Sequence, residues 1–218
     1  MNDDLTLDEI RALLAPVLAR HAAFDGWRPP AVAMAAREKG VDEDVAQLAF
    51  ADGPVAMIDA WFASIDAAMV DALPPETLAT LSIRRKIVAL VEARLAIVAP
   101  DKEALRRALA ILALPTNAPR AGKLAWRAAD AMWRAAGDTA TDLNHYSKRA
   151  TLTALYAATL IAFLDDDSED RAETRAFLAR RVEDVMRFEK WKSRIKGAGG
   201  GERLSLSRFI GRLRYPVV

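Results

Sequence analysis

The sequence predicts an all-α protein. Apolar residues recur at helical spacing along almost the whole chain, and Ala and Leu dominate them. No β-branched alternating run is long enough to suggest a sheet. Pro and Gly clusters fall at intervals that divide the chain into helix-length pieces, at 26–30, 40, 53–54, 74–75, 100, 115–119 and 137. The predicted helices are 6–20, 30–39, 42–50, 54–73, 75–99, 102–114, 121–136, 141–164 and 169–196. There is no internal repeat.

The first three helices, up to residue 52, read as a helix-turn-helix-like module. Within it, 31–50 gives a short helix, a Gly turn and a second short helix, similar to the reading head of TetR-like transcription factors. The charge argues against nucleic acid. Asp42, Glu43 and Asp44 occupy the N-terminal turn of the would-be recognition helix, where phosphates would lie. Between His21 and Asp52 three basic residues face six acidic ones, and nucleic-acid affinity rests mainly on phosphate neutralisation by Lys and Arg. The module is therefore expected to serve packing. A TetR-type regulator sensing a hydrophobic ligand is the alternative.

Residues 53–196 read as a larger helical domain for ligand binding and dimerisation. Its most informative stretch runs from Gly137 to Arg149 and leads into fifteen uncharged residues, 150–164. On a helix begun near Thr141, Asp142, His145, Tyr146 and Arg149 share one face at i, i+3, i+4 and i+7. That stripe is either a contact surface or a solvated first turn. Farther along, Ser147, Ala150, Ala154, Ala157 and Ala158 make a small-residue side, while Leu152, Leu155, Tyr156, Leu160, Phe163 and Leu164 make a bulky one. The bulky side fits a packed core, or else the wall of an apolar cavity between helices.

Residues 197–201 read as a flexible linker and 202–218 as a tail. Leu206, Phe209, Ile210 and Leu213 fall within one helical stripe. Arg208 and Arg212 lie opposite, and Arg203 and Arg214 flank it. A short cationic amphipathic helix suits an interfacial contact with anionic lipid; folding back onto the body is the other use of such a helix. The charge distribution agrees: nine Lys and Arg against two Glu from Met186 onward give +7, leaving −6 for the rest of a chain whose net charge is +1.

Catalysis finds little in the sequence. There is no Cys, and the two histidines, His21 and His145, lie far apart. No Glu-x-x-His pair is present to ligate a metal, and no nucleophile elbow is visible. No catalytic residue, metal or cofactor is expected. The composition, 52% hydrophobic and 28% charged, is that of an ordinary globular protein. The longest uncharged run is shorter than the ~20 residues of a membrane-spanning helix. With an acidic, polar start from Met1 to Leu5, the reading is a bacterial cytoplasmic protein, peripheral on the inner face of the plasma membrane.

One further pattern resembles a known family. Trp133, Gly137-Asp138, Thr141-Asp142, Asn144, Tyr146, Lys148-Arg149, Tyr156, Thr159, the acidic break at 165–168, Thr174, Phe177-Leu178 and Arg180-Arg181 look like the signature of the Coq-nine family. Its members are accessory lipid-binding proteins of ubiquinone biosynthesis. The resemblance implies a TetR-like bundle, a homodimer, and binding of isoprenoid quinone intermediates and phospholipid without enzymatic activity. It further implies the di-iron demethoxyubiquinone hydroxylase as partner, met through Met132, Asp142, His145 and Tyr146, with Arg149 on the same stripe. His145 departs from the pattern, which has a large aromatic residue there. On that resemblance the apolar face Leu152, Leu155, Tyr156, Leu160 and Phe163 is expected to hold the lipid.

Overall fold

A computed structural model describes residues 5–139 and 143–198. It is built from helices joined by short turns, with no strand among the described residues. Thr6 caps α1 (Leu7–Asp25) through a reciprocal pair with Glu9, which holds the first free amides. The helix runs five residues past the expected end, because His21, Ala22, Ala23, Phe24 and Asp25 all tolerate helical backbone and Gly26 is the first residue to stop it.

Two short helices follow, α2 (Pro29–Lys39) and α3 (Glu43–Ala49). Between them Gly40 adopts the left-handed conformation, φ 65° and ψ 34°, that its missing Cβ permits. The Asp42 carboxylate accepts from the amides of Asp44 and Val45, each at 3.0 Å. The acidic first turn of α3 is thus a helix cap. Both helices pack on α1.

The next helix, α4 (Pro54–Ala72), crosses α1 and carries Ile58, Trp61, Ile65 and Met69 into the core. Trp27, 1% exposed, stacks on Trp61 at 5.3 Å and donates its indole N–H to the Ala104 carbonyl at 3.1 Å. The expected single helix 75–99 is two, α5 (Pro75–Ala79) and α6 (Ile83–Val98). Thr80 back-bonds to the Thr77 carbonyl and Ser82 is extended at ψ 155°, so two hydroxyl residues break the ladder where apolar periodicity alone suggests none. A 3₁₀ turn leads into α7 (Lys102–Leu112).

Two long helices complete the bundle, α8 (Ala118–Ala135) and α9 (Leu143–Asp165), which pack side by side. Basic side chains of α7 receive the C-terminal end of α9: Lys102 donates to the Asp166 carbonyl at 2.7 Å and Arg106 to the Leu164 carbonyl at 2.8 Å. Cations at that end complement both the unpaired carbonyls and the helix dipole.

After α9, Asp170 and Arg171 take positive φ, 54° and 59°, before α10 (Ala172–Ala198) begins. The expected helix from residue 169 therefore starts after a kink. Met1–Ala179 form one compact unit and Arg180–Val218 a second. In the second unit, Arg181 pairs with Asp184 and Arg187 with Glu183, each at 2.8 Å along the helix. Helix α10 includes residues 197 and 198, the first two of the expected linker. The remaining linker and the tail residues Arg203, Leu206, Arg208, Phe209, Ile210, Arg212, Leu213 and Arg214 lie outside the described residues. Among the described residues no single helix is long and apolar enough to cross a membrane.

Candidate functional site

The turn from α8 into α9 is held by buried charge. Gly137, at φ 87°, lets the Asp138 amide fold back to the Trp133 carbonyl at 3.0 Å and end α8. This places the Asp138 carboxylate, 6% exposed, beneath the start of α9. Lys148 donates to it at 2.6 Å and Arg149 at 3.1 Å. Arg149 also reaches Asp130 on α8 at 2.6 Å, and the Trp133 indole donates to the Lys148 carbonyl at 3.0 Å. Burial works against the Asp138 carboxylate, but hydrogen bonds from Lys148 and Arg149 outweigh it and hold its pKa below the ordinary value.

This geometry corrects the idea of Arg149 as part of an exposed stripe. Its side chain is 2% exposed and joined to two carboxylates. Met132 is likewise buried, at 0% exposure. Asp142 lies outside the described residues. His145 and Tyr146 do reach the surface, Tyr146 at 61% exposure. Their rings meet edge to face at 5.1 Å, and Tyr146 leans on Trp126 of α8 with ring centroids 6.2 Å apart. The sequence does not single out Trp126. Its place twenty residues before Tyr146, on a different helix, gave no sign that the two rings would meet.

A second lock follows α9. Asp166 accepts from the amide and hydroxyl of Ser168, at 2.9 and 2.5 Å, and from those of Thr174, at 2.8 and 2.5 Å. Burial would raise its pKa, yet four donors hold it well below the usual carboxylate range. The acidic break at 165–168 is thus a cap for the segment that leads into α10.

Between α4, α6, α7, α8 and α9 lies an apolar cavity of about 410 Å³. From α9 it is lined by Thr153, Tyr156, Ala157, Leu160, Ile161 and Leu164, a helical i, i+3, i+4, i+7, i+8, i+11 stripe. Tyr156 and Leu160, two of the residues read as the bulky side, therefore line the cavity. Leu152, Leu155 and Phe163 are not among its lining; they are buried at 3%, 8% and 2% exposure. Phe163 instead lies under the Lys102 ammonium, 5.5 Å from the ring centroid. The correction is rotational, since the cavity-facing stripe takes Ala157 from the side read as small and leaves half of the bulky side to the core.

The cavity wall contains charge. Arg94 of α6 is 1% exposed, pairs with Asp66 of α4, and sits over the Tyr156 ring at 5.1 Å. Asp66 also accepts from Arg127 of α8 at 3.1 Å, and Arg127 pairs in turn with Asp59. Two arginines and two aspartates so tie α4, α6 and α8 around the apolar space. No group of three or more His, Cys, Asp or Glu that could hold a metal occurs among the described residues.

Comparison with known proteins agrees with this architecture. The TetR transcriptional regulator from Nitrosomonas europaea superposes with a TM-score of 0.63, covering 80% of this chain and 97% of that one at 22% identity. The fold is TetR-like. Among curated relatives, the ubiquinone biosynthesis protein COQ9, mitochondrial, of Homo sapiens is 40% identical over 109 residues, 50% of this chain and 34% of that protein. The Bos taurus protein is 31% identical over 181 residues, 80% of this chain and 56% of its own length. For Drosophila melanogaster the figures are 28% over 195 residues, 88% and 60%. The matched part of the chain thus spans roughly a third to three fifths of these relatives. The COQ9 family model matches residues 118–189, the segment from the start of α8 through the Asp138 and Asp166 locks into α10. Over that segment the chain is similar to the COQ9 proteins of ubiquinone biosynthesis.

Proposed function

We propose that this protein takes part in ubiquinone biosynthesis as a non-enzymatic lipid carrier. It binds a polyprenylated quinone intermediate and presents it to the di-iron demethoxyubiquinone hydroxylase. The observation that carries this reading is the apolar cavity against α9, a helix that lies wholly inside the COQ9 match. Bundle cavities of a few hundred Å³ with mostly apolar walls suit a hydrophobic ligand. Its chemistry is transfer and presentation, with no bond made or broken.

The remaining parts follow from the same reading. The cationic tail, 202–218, docks on an anionic membrane surface and brings the bundle to its lipid, with phospholipid as a secondary ligand. In a bacterium that surface is the inner face of the plasma membrane; the relatives are named as mitochondrial proteins. His145 and Tyr146, backed by Trp126, face the hydroxylase. The protein acts as a homodimer. The acidic cap of α3 supports a use of the three-helix module in packing over a use in DNA reading.

Deleting the gene in its host is the test. The expected result is loss of ubiquinone with accumulation of the demethoxy precursor, restored by the wild-type chain. Unchanged ubiquinone together with altered transcription of a neighbouring operon would favour a TetR-type regulator instead.

A further inference from the structure

The apolar cavity reaches the surface at one place. Of its lining residues, Ala113 at the end of α7 and Ala157 and Ile161 on α9 are exposed, and Ile161 keeps 63% of its area in solvent. Leu114, next to Ala113, is 52% exposed at the head of the turn into α8. Two aliphatic side chains thus stand in water beside the mouth, where cover by an apolar phase would stabilise them.

The free charge around this mouth is of one sign. Helix α8 opens with Arg120 and Lys123, both exposed and three residues apart, and neither meets a carboxylate among the described residues. Cations at the start of a helix oppose its dipole, and this first turn holds no acid to offset them. Their placement therefore does not serve α8 itself. No Asp or Glu occurs from residue 104 to 129. The nearest carboxylates on the adjoining elements, Glu103 and Asp165, are paired with Arg106 or Arg107. The other large depression, about 640 Å³ between α1 and α4, is lined by Asp8, Asp52, Asp59 and Asp71 against Arg11, and would repel an anionic surface.

Exposed aliphatics beside free cations, at the opening of an apolar cavity, make a rim that an anionic lipid surface completes. Resting on the lipid-carrier reading, we infer that the cavity mouth is a second membrane contact. Leu114 and Ile161 enter the interface of an anionic bilayer, Arg120 and Lys123 meet its phosphates, and the cavity opens onto the acyl chains. Each cation near such a surface adds roughly fivefold to affinity. That is too little to hold the protein without its tail, and enough to orient it once the tail has bound. A lipid then passes between leaflet and cavity without crossing water.

The chain has no Cys, so a single Leu114→Cys can carry the environment-sensitive fluorophore NBD, with Met34→Cys, exposed on α2, as the reference. Each labelled full-length protein is titrated with phosphatidylglycerol-containing vesicles that bear a doxyl quencher in their acyl chains. The label at 114 is expected to lose about half or more of its emission on binding, and the label at 34 to stay unchanged. Arg120→Glu combined with Lys123→Glu is expected to weaken vesicle affinity about tenfold or more and to abolish the quench at 114, while the melting temperature does not fall. Vesicle binding that leaves the label at 114 unquenched, or quenches both labels alike, overturns the rim and leaves the tail and the carrier intact. A response at 114 to the hydroxylase without vesicles overturns it as well, by giving the surface to a protein. Absence of any vesicle binding by the full-length chain overturns the membrane reading on which the rim rests.

Discussion

Arg149 donates to Asp138 at 3.1 Å beneath the first turns of α9, both side chains almost wholly buried. The pair sits in a cluster with Lys148, Asp130 and Trp133, so the family signature at 133–149 is in large part a structural clamp between α8 and α9. It aims the exposed residues one turn away, His145 and Tyr146, and fixes the helix that walls the cavity.

Removing Asp138 leaves a buried guanidinium half paired. Asp138→Ala is expected to lower stability by about 3 kcal/mol, within the range seen when one partner of a buried ion pair is lost. Urea unfolding followed by Trp fluorescence measures it. A loss under about 0.5 kcal/mol would show that the clamp contributes no more than an ordinary surface contact.

Acid should expose both locks. Asp138 and Asp166 have pKa values depressed in the folded state by the hydrogen bonds they accept, in spite of burial. Such groups stabilise the fold fully above the unfolded carboxylate pKa, about 3.9, and lose that contribution as pH falls toward their own lower values. Stability is therefore expected to be insensitive to these groups above about pH 5 and to fall below about pH 4. Asp166→Asn should flatten part of that acid limb and lower stability at pH 7, as thermal melts across pH 2.5–7 (range chosen to bracket the roughly 3.9 of a free Asp) will register.

Tyr146 offers a separation of surface from fold. With 61% of its area exposed, Tyr146→Lys is expected to change stability by less than about 0.5 kcal/mol and to abolish capture of the hydroxylase. Trp126→Ala should weaken the same capture by taking away the ring that supports Tyr146. A pull-down that recovers undiminished hydroxylase with Tyr146→Lys contradicts this surface.

The tail is tested by flotation. Deletion of residues 202–218 is expected to end binding to phosphatidylglycerol-containing vesicles. In the intact chain that binding should weaken as salt rises from roughly 50 to 500 mM, since it rests on screened charge. Equal flotation by both chains would place the membrane contact elsewhere.

Much of the bundle was legible in the sequence. Helical apolar spacing with Pro and Gly punctuation gives the order and type of nearly every helix, and the Thr6 cap and Gly137 stop are local signals. The break at 80–82 and the kink at 170–171 were not, because each depends on hydroxyl back-bonding or positive φ that periodicity does not encode. At the site, the stripe read from Asp142 to Arg149 placed His145 and Tyr146 at the surface and misjudged Arg149. A guanidinium is recognisable as buried only when its carboxylate partners are known, and Asp130 lies nineteen residues away. The rotation of the cavity face toward Ala157 and Ile161 depends in the same way on which helices flank α9.

Filling the cavity should empty it of ligand. Ala157 lines the space, and Ala157→Phe is expected to reduce lipid content to about a tenth or less while leaving the unfolding midpoint close to wild type.

The most direct measurement is mass spectrometry of the lipid extracted from the purified full-length protein after expression in a ubiquinone-making host. The account predicts near-stoichiometric recovery of an isoprenoid quinone or its precursor from the wild type. Recovery of bulk phospholipid at trace levels, equal in wild type and Ala157→Phe, would contradict a ligand-holding cavity.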